Sequence, residues 1–235
     1  MPLLDVVQSI AIRIGVQRPA IAASSLDQNI QQIVEFVNEE GQELAARANW
    51  QALRAEANFA TTAAEDQGSI YAIAGADFRS IVNETIWNRS QRRPVFGPKS
   101  PAEWQQLKAQ FVQGPWQQYI IRGNHLLFTP APPAGQNCYF EWLSNNWAQA
   151  AGGGGKARMN DDGDLSLLDE RLLVLGGVWR FQNAKGLPSD VSFAKYEAAV
   201  NDAIVRDGAK ATLSLAGYQA DVLPGAFVPA GNWTL

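Results

Sequence analysis

The sequence is poor in the residues that build metal sites and covalent cross-links. Its 235 residues include one cysteine, Cys138, and one histidine, His125. These counts exclude an intrachain disulfide, and they exclude any zinc site made of several Cys and His ligands within one subunit. We therefore expect neither a metal nor a cofactor.

Two further absences concern membranes and nucleic acids. The chain has no run of about 18 apolar residues, the length that a membrane-spanning helix needs, and no basic segment leading into an apolar stretch at its start. Its net charge of −4 leaves no basic excess to neutralise phosphates. We expect folding in a cytoplasm, no membrane contact and no main role in duplex binding, although an acidic wall can still line a channel that DNA slides through.

What the chain does contain is enough apolar sequence for one or two compact units, with 46% hydrophobic and 18% charged residues. Helical spacing of apolar residues predicts a first helix that stops at Gly15. Its apolar positions are Leu3, Val7, Ile10 and Ile14. A second helix is predicted after the capping-box pattern of Ser25 and Gln28. Its apolar face contains Ile30, Ile33, Val34, Val37, Leu44 and Ala48.

The middle of the chain is predicted to be β-rich. Short β-prone runs at 58–62, 69–73 and 85–89 alternate with Gly, Asp and Pro. The Gly123-Asn124 dipeptide predicts a tight hairpin of strands 119–122 and 125–128 that pairs Tyr119 with Phe128 and Ile121 with Leu126. A third strand, 138–143, is predicted to complete that antiparallel sheet, and a short helix over 101–111 is predicted to start at the cap Ser100.

The remainder divides into an arm, two helices and a tail. Residues 148–164 contain four consecutive glycines and almost no bulky apolar side chain, which predicts a long mobile arm. A helix is predicted to begin with the Ser166 and Asp169 cap pattern, in which Ser166 is the cap, and to end at Gly186. Its apolar stripe is Leu168, Leu172, Leu175 and Trp179. A second helix follows Ser189, with Phe193, Tyr196, Val200, Ala203 and Ile204 inward.

These elements predict an α+β fold. The N-terminal helices (1–56) and a C-terminal helical hairpin (165–216) form a bundle. An antiparallel β-rich unit (57–147) and the flexible arm (148–164) are inserted between them, and an extended tail (217–235) follows.

Two pairs of residues suggest catalytic chemistry, and each has a simpler explanation. Cys138 and His125 are the components of a nucleophile pair, but both fall within predicted strands, where a buried structural cysteine is commoner. Glu39 and Glu43 share a helix face, as paired carboxylates of a peptidoglycan hydrolase would, but a solvated helix face also accounts for them.

The four glycines before Lys156 suggest a phosphate-binding loop, but the motif needs Gly where Ala150 stands and Ser or Thr where Ala157 stands. A linker explains the segment better.

A basic cluster and several tryptophans suggest interaction surfaces. The cluster consists of Arg89, Arg92, Arg93 and Lys99. It suits an acidic surface of a neighbouring subunit or the phosphates of passing DNA, and an ordinary solvated hairpin is an equal alternative. Trp116, Trp147 and Trp233 lie at predicted loops or element ends, where aromatic residues are enriched in protein interfaces.

Several short sequence motifs occur in an order that resembles a known protein family. These motifs are Thr85-Ile-Trp-Asn-Arg, Arg93-Pro-Val-Phe-Gly-Pro, Trp104, Phe128-Thr-Pro-Ala-Pro-Pro, Gln42-Glu-Leu, Trp50-Gln-Ala-Leu and the Leu-Leu-Asp-Glu-Arg-Leu-Leu run ending at Leu173. Together they resemble the head-to-tail adaptor (connector) proteins of tailed bacteriophages, the group that includes the tail tubular protein A type. The likeness covers most of the chain.

The resemblance implies a virion structural protein and no enzyme. Members of the family form a ring, typically of twelve copies, beneath the portal, where they join the capsid to the tail and continue the DNA channel. Their fold is a helical bundle with a β-rich insertion. The implied partners are the portal protein, a downstream tail or nozzle protein, further copies of the chain and passing DNA. The implied location is the head–tail junction of the virion, after assembly in the host cytoplasm.

The resemblance also assigns contact residues. The C-terminal segment of related adaptors reaches the portal, which makes residues 217–235 the docking tail. Its expected portal-binding residues are Val222, Phe227, Trp233 and Leu235. The β-rich unit and the Gly-rich arm would face neighbouring subunits or the tail component below. The expected contact residues there are Arg89, Arg92, Arg93, Trp116, Trp147, Lys156 and Arg158.

Overall fold

The computed structural model describes residues 1–109, 114 and 116–208. The predicted docking tail 217–235, with Val222, Phe227, Trp233 and Leu235, lies outside the described residues. So does the end of the last predicted helix, whose described part stops at Asp207.

The described helices and strands follow one another along the chain in this order. The first part comprises α1 (Leu3–Ile14), α2 (Gln28–Arg47), a 3-10 turn (Gln51–Leu53), β1 (Arg54–Ala60), β2 (Asp66–Ser69), α3 (Ile70–Ala74), β3 (Phe78–Ile81), β4 (Trp87–Asn88) and β5 (Arg93–Pro94). The second part comprises α4 (Pro101–Ala109), β6 (Gln118–Arg122), β7 (His125–Thr129), β8 (Asn137–Ser144), β9 (Ala148–Gln149), β10 (Gly155–Lys156), β11 (Leu165–Ser166), α5 (Glu170–Ala184) and α6 (Asp190–Asp207). The predicted α+β class is confirmed.

The chain divides into two compact units. The described part of the first, the helical unit, contains residues 1–55 and 143–208, and that of the second, the β unit, lies within residues 56–142. The chain therefore leaves the helical unit once and returns to it once, with the β unit as the insertion.

Helix α5 is central to the helical unit, because α1, α2 and α6 all pack against it. Six consecutive residues of α5, from Leu172 to Gly177, are buried. Two glycines permit this close packing. A Cβ at Gly177 would lie 2.5 Å from Cδ1 of Ile10 in α1, and a Cβ at Gly176 would lie 2.5 Å from Cγ of Glu40 in α2.

Capping residues explain where the helices start and end. The first helix ends as predicted at Gly15, which adopts the left-handed conformation with φ 76°. The cap of α2 is Asp27 rather than the predicted Ser25, because the Asp27 carboxylate accepts hydrogen bonds from the backbone N–H of Asn29 (2.7 Å) and Ile30. The cap of α5 is Asp169 rather than Ser166, the first residue of the predicted cap pattern, which lies in β11.

The Gly-rich segment 148–164 is not the mobile arm that its composition predicts. Strands β10 and β11 both pair with β9 in a small antiparallel sheet. Met159 is buried, and its backbone exchanges two hydrogen bonds with the Asn38 side chain of α2, at 2.8 and 3.0 Å. Polar contacts with a distant helix thus replace the apolar burial that the segment lacks.

Asp164 is the other anchor of this segment. Its side chain is 1% exposed and accepts hydrogen bonds from Lys156 Nζ (2.8 Å) and from the backbone N–H of Asn160 (2.9 Å) and Asp161 (3.0 Å). Burial alone would raise the pKa of Asp164, but the Lys156 ammonium and these amides hold it below its usual 3.8. The Asp164 carboxylate therefore holds residues 156, 160 and 161 together through hydrogen bonds.

Replacing Asp164 with asparagine should lower the free energy of unfolding by about 2 kcal/mol at pH 7, because an amide N–H₂ group would face buried donors. A carboxyl with a depressed folded-state pKa stabilises the fold above its unfolded pKa, and this stabilisation is lost as pH falls through the folded pKa. The difference from wild type should thus narrow below pH 3.8, the usual pKa of the group. Urea unfolding at pH 7 and pH 3 measures it.

Asp161→Asn is the matched control, since the Asp161 carboxylate binds the same Lys156 Nζ at 3.0 Å but is 74% exposed. We expect it to cost less than about 1 kcal/mol. Equal losses for the two variants would show that burial of Asp164 does not matter.

The β unit contains two separate antiparallel sheets. In the first, β7 lies between β2 and β6, and the predicted hairpin register is confirmed, with Tyr119 opposite Phe128 and Ile121 opposite Leu126. The predicted third strand of this sheet is wrong. Strand β8 belongs instead to the second sheet, of order β1-β8-β4-β5, where β3 also pairs with β8.

The β unit also contains two short helices, α3 and α4. Residues 70–74 form the short helix α3 rather than a strand, since short apolar runs fit either period. Helix α4 starts as predicted after Ser100, whose side chain and backbone form a reciprocal capping box with Glu103.

Candidate interaction surfaces

Three residues of the predicted basic cluster, Arg89, Arg92 and Arg93, lie on the hairpin of β4 and β5, and Lys99 follows it. Trp87 is opposite Pro94 and Asn88 is opposite Arg93, so residues 89–92 form the connecting loop. The buried Asn88 side chain holds this loop, because its Oδ1 accepts the backbone N–H of Gln91 at 3.1 Å. Arg92 at the end of the loop has φ 55°, a conformation that costs a residue with a Cβ about 1 kcal/mol.

The three arginines of this hairpin have different surroundings. The Arg89 guanidinium lies 3.6 Å from the centre of the Tyr139 ring and forms an ion pair with Glu56. Arg93 lies 5.6 Å from the centre of the Trp116 ring. Arg92 is exposed and has no hydrogen bond or ion pair within residues 1–109 and 116–208. The hairpin thus brings Arg93 and Trp116 together, while Arg89 turns onto its own sheet.

Beside this hairpin, one face of the second sheet is open to solvent. Cys138, Phe140 and Trp142 of β8 point into the core, so Tyr139 and Glu141 point outward. A cleft of about 290 Å³ lies on this outer face. Its lining residues are Glu56, Glu84, Thr85, Trp87, Arg89, Tyr139, Phe140 and Glu141. Glu84 was not predicted from the sequence, although an acidic residue beside a basic cluster was visible there.

Glu84 resembles Arg92 in three respects. It is exposed and has a positive φ, 65°, and its carboxylate has no hydrogen bond or ion pair in the described part of the chain. Strand β4 lies between these two residues in the sequence. Two charged side chains of opposite sign are therefore held, without partners among the described residues, at the two turns next to one short strand.

The predicted contact residues of the helical unit have structural roles. Trp147 is fully buried, and its indole N–H donates to the carbonyl of Ala157 at 2.8 Å, so its assignment as an exposed contact residue is wrong. Lys156 binds Asn160, Asp161 and Asp164, and the carboxylates of Asp164 and Asp161 raise its pKa. Arg158 is half-exposed and pairs with Glu35. Of the three, Arg158 is the most exposed.

The helix carboxylates Glu39 and Glu43 both pair with Arg180 of α5, together with Glu40. Glu40 is fully buried, and burial raises the pKa of its carboxyl above the usual 4.5. Glu40 was not predicted from the sequence, although it lies three residues after Val37 and four before Leu44 on the apolar face of α2. The arrangement is an ion-pair network that joins two helices.

Cys138 and His125 are not arranged as a nucleophile and its base. Cys138 is buried in β8, and burial raises the pKa of its thiol to about 12. His125 lies on β7, in the other sheet, where its Nδ1 is 2.9 Å from Asp66. No hydrogen bond joins the two side chains among the residues described.

Two other kinds of site are missing from the described residues. They contain no group of three or more His, Cys, Asp or Glu side chains that could hold a metal ion. No helix among them is long and apolar enough to cross a membrane.

The chain is similar to a known protein family over nearly its whole length. A protein-family model described as SU10 adaptor protein matches residues 1–219, which include the described parts of both units. No curated protein matches the chain.

Proposed function

The chain belongs to the SU10 adaptor protein family, a family of bacteriophage structural proteins, and from this premise we propose that it is a head-to-tail adaptor. In this role, copies of the chain form a ring under the portal, join the capsid to the tail and continue the DNA channel. The observation that carries the proposal is the extent of the match, since 1–219 leaves few of the 235 residues outside it.

The charge of the chain suits a channel component. Tight phosphate contacts would hold the genome during its passage, because each neutralised phosphate adds binding free energy through the release of counterions. With 19 Lys and Arg against 23 Asp and Glu, the protein has no basic excess to form many such contacts. DNA would pass through the ring without sequence-specific binding.

The proposed partners are the portal above the ring, a tail or nozzle protein below it and other copies of the chain within it. The proposed location is the head–tail junction, reached after assembly in the host cytoplasm. Mass photometry with negative-stain imaging tests the ring directly, on the chain alone and mixed with the portal protein of the same phage. A ring in either sample is the expected result, and a monomer that ignores the portal would overturn the proposal.

The competing function, a virion-associated peptidoglycan hydrolase, gains no support from the helix carboxylates. Glu39 and Glu43 share one guanidinium, that of Arg180, as structural ion pairs do. Glu40, the carboxyl with the raised pKa that a general acid needs, is 0% exposed, so a polysaccharide cannot reach it. The hydrolase would be favoured if the wild-type protein lowered the turbidity of a peptidoglycan suspension and the Glu39→Gln variant did not.

We further propose that residues 217–235 bind the portal, with Val222, Phe227, Trp233 and Leu235 as the contact residues. Large aromatic side chains supply most of the binding free energy at protein interfaces. This segment combines Phe227 and Trp233 with Pro224 and Pro229, and proline lowers the entropy lost when a chain is ordered on binding.

Deleting residues 218–235 should abolish portal binding and leave the fold intact, because all described helices and strands end by Asp207. Mass photometry with portal protein measures the first effect, and far-UV circular dichroism with thermal melting measures the second. The double variant Phe227→Ala/Trp233→Ala should weaken binding by about 30-fold or more, since the loss of even one interface hot spot costs about 2 kcal/mol or more. Unchanged binding by the deletion variant would remove the tail from the interface.

A further inference from the structure

We propose that the turn around Arg92 and Arg93, the basic tip, docks on a second copy of this chain. The docking surface is the outer face of the β1-β8-β4 strands around Glu84, Trp87 and Tyr139, named here the aromatic cleft. The inference rests on the proposed function, because it assigns one of the contacts that would join copies within the ring.

The aromatic cleft already binds a guanidinium. Arg89 of the same chain stacks on the Tyr139 ring at 3.6 Å and pairs with Glu56, so cation–π and ion-pair contacts operate together on this face. Its lining residues include three carboxylates and one basic side chain. Glu84 is the lining carboxylate without a hydrogen bond or ion pair among the residues described. The surface therefore has room and charge for a second cation.

The basic tip supplies that cation. Arg92 is exposed, lies at the end of a loop held by Asn88 and has no partner in the described part of the chain. Arg93 is exposed and lies over Trp116, which is 37% exposed. A rigid loop loses little conformational entropy on binding, so its charges are already placed for a partner.

A second copy is the favoured occupant because both complementary surfaces occur on one chain. The basic tip and the aromatic cleft consist of different residues, so the contact between copies is heterologous. Repetition of a heterologous contact gives a ring when its rotation closes. DNA phosphates are the competing partner for the basic tip, and charge-reversal variants separate the two.

Charge reversal and its rescue test the contact. Arg92→Glu and Glu84→Arg should each raise the protein concentration needed for half-maximal ring formation by about tenfold or more, because each places like charges opposite one another. A one-to-one mixture of the two variants should form rings near the wild-type concentration, since each variant then meets an opposite charge on its neighbour. Mass photometry gives the ring fraction, and native mass spectrometry shows whether both variants are in one ring.

Two further variants separate this contact from general effects. Arg122→Glu makes the same change in net charge at another exposed arginine of the β unit, and it should leave ring formation unchanged. Arg92→Gly removes the charge and suits the positive φ of this position. It should weaken ring formation while the melting temperature stays equal or rises, which loss of folding cannot explain.

Every outcome is decisive. Wild-type rings that neither reversal weakens would overturn the contact and leave the adaptor function standing. Rings that remain intact while Arg92→Glu lowers duplex DNA binding at low salt would assign the basic tip to phosphates and overturn the contact. Weakening without rescue in the mixture would also overturn it. A wild-type chain that forms no ring, alone or on the portal, would overturn the proposed function and this contact together.

Discussion

Replacing Arg180 with leucine is expected to lower the free energy of unfolding by about 3–5 kcal/mol at pH 7, because it leaves a buried carboxylate without a counter-charge. Glu40 is 0% exposed, and its Oε2 lies 2.8 Å from Nε of Arg180. Its Oε1 has no hydrogen-bond partner among the described residues, so the variant would leave the carboxylate without the cation that pairs with it. Urea unfolding followed by tryptophan fluorescence measures the loss.

The pH dependence of this loss has a defined sign. Burial raises the pKa of Glu40 above its usual 4.5, and the nearby Tyr196 hydroxyl and Arg180 guanidinium offset this only in part. Without Arg180 the pKa of Glu40 rises further. When the folded-state pKa of a carboxyl is raised, the free energy of unfolding of the protein falls as pH rises from the unfolded pKa to the folded pKa of that group. The deficit of Arg180→Leu should therefore be larger at pH 8 than at pH 5.

Two variants control for the loss of the arginine itself. Arg158→Leu breaks the ion pair with Glu35, in which both side chains are about half-exposed, and should cost about 0–1 kcal/mol. Adding Glu40→Gln to Arg180→Leu should recover part of the loss at pH 8, because a neutral amide is less costly to bury than a carboxylate. A double variant as unstable as Arg180→Leu at pH 8 would contradict the buried-charge explanation.

Replacing Gly41 with alanine should also be strongly destabilising, by about 2–3 kcal/mol, because the added Cβ overpacks the core. It would lie 2.5 Å from Cε2 of Trp147 and as close to two further ring atoms. The Trp147 ring is fully buried and held by its hydrogen bond to Ala157, so it has little room to move. Alanine favours a helix by about 1 kcal/mol over glycine, and this gain only reduces the loss. Thermal and urea unfolding measure the net effect.

Alanine variants of two other glycines serve as comparisons for Gly41→Ala. A Cβ at Gly177 of α5 would meet Cδ1 of Ile10 at 2.5 Å, but this atom is the end of a flexible side chain, so Gly177→Ala should cost less. A Cβ at Gly152 would have no heavy atom of the described residues within 4 Å, so Gly152→Ala should be close to neutral. If Gly41→Ala were as stable as Gly152→Ala, the Trp147 ring would have to be mobile.

Local signals in the sequence predict much of this fold correctly. The Gly123-Asn124 hairpin is confirmed with its register because a two-residue loop and alternating side chains determine the pairing of adjacent strands. The end of α1 at Gly15 and the start of α4 after Ser100 are confirmed because caps act within a few residues.

The candidate surface could be predicted only in part. The basic hairpin with Arg92 and Arg93 was found from the sequence because its charges are neighbours there. The cleft was not, because Glu56, Glu84 and Tyr139 belong to segments that meet only when β1, β8 and β4 form one sheet. Trp147 was misassigned, since its position near a glycine-rich run gives no sign of the core contact with α2.

The sequence by itself determined the α+β class, the main helices and the family, since periodicity, caps and ordered sequence motifs are properties of short segments. Tertiary structure alone decided three other features. It placed β8 in the second sheet, it held the Gly-rich segment through Asn38, and it enclosed Glu40 beside Arg180. The physical reason is the large sequence separation between the residues that make these contacts. The contacts of Asn38 and Arg180 join residues more than 100 positions apart, and a local pattern does not record which distant partner supplies a hydrogen bond or a counter-charge.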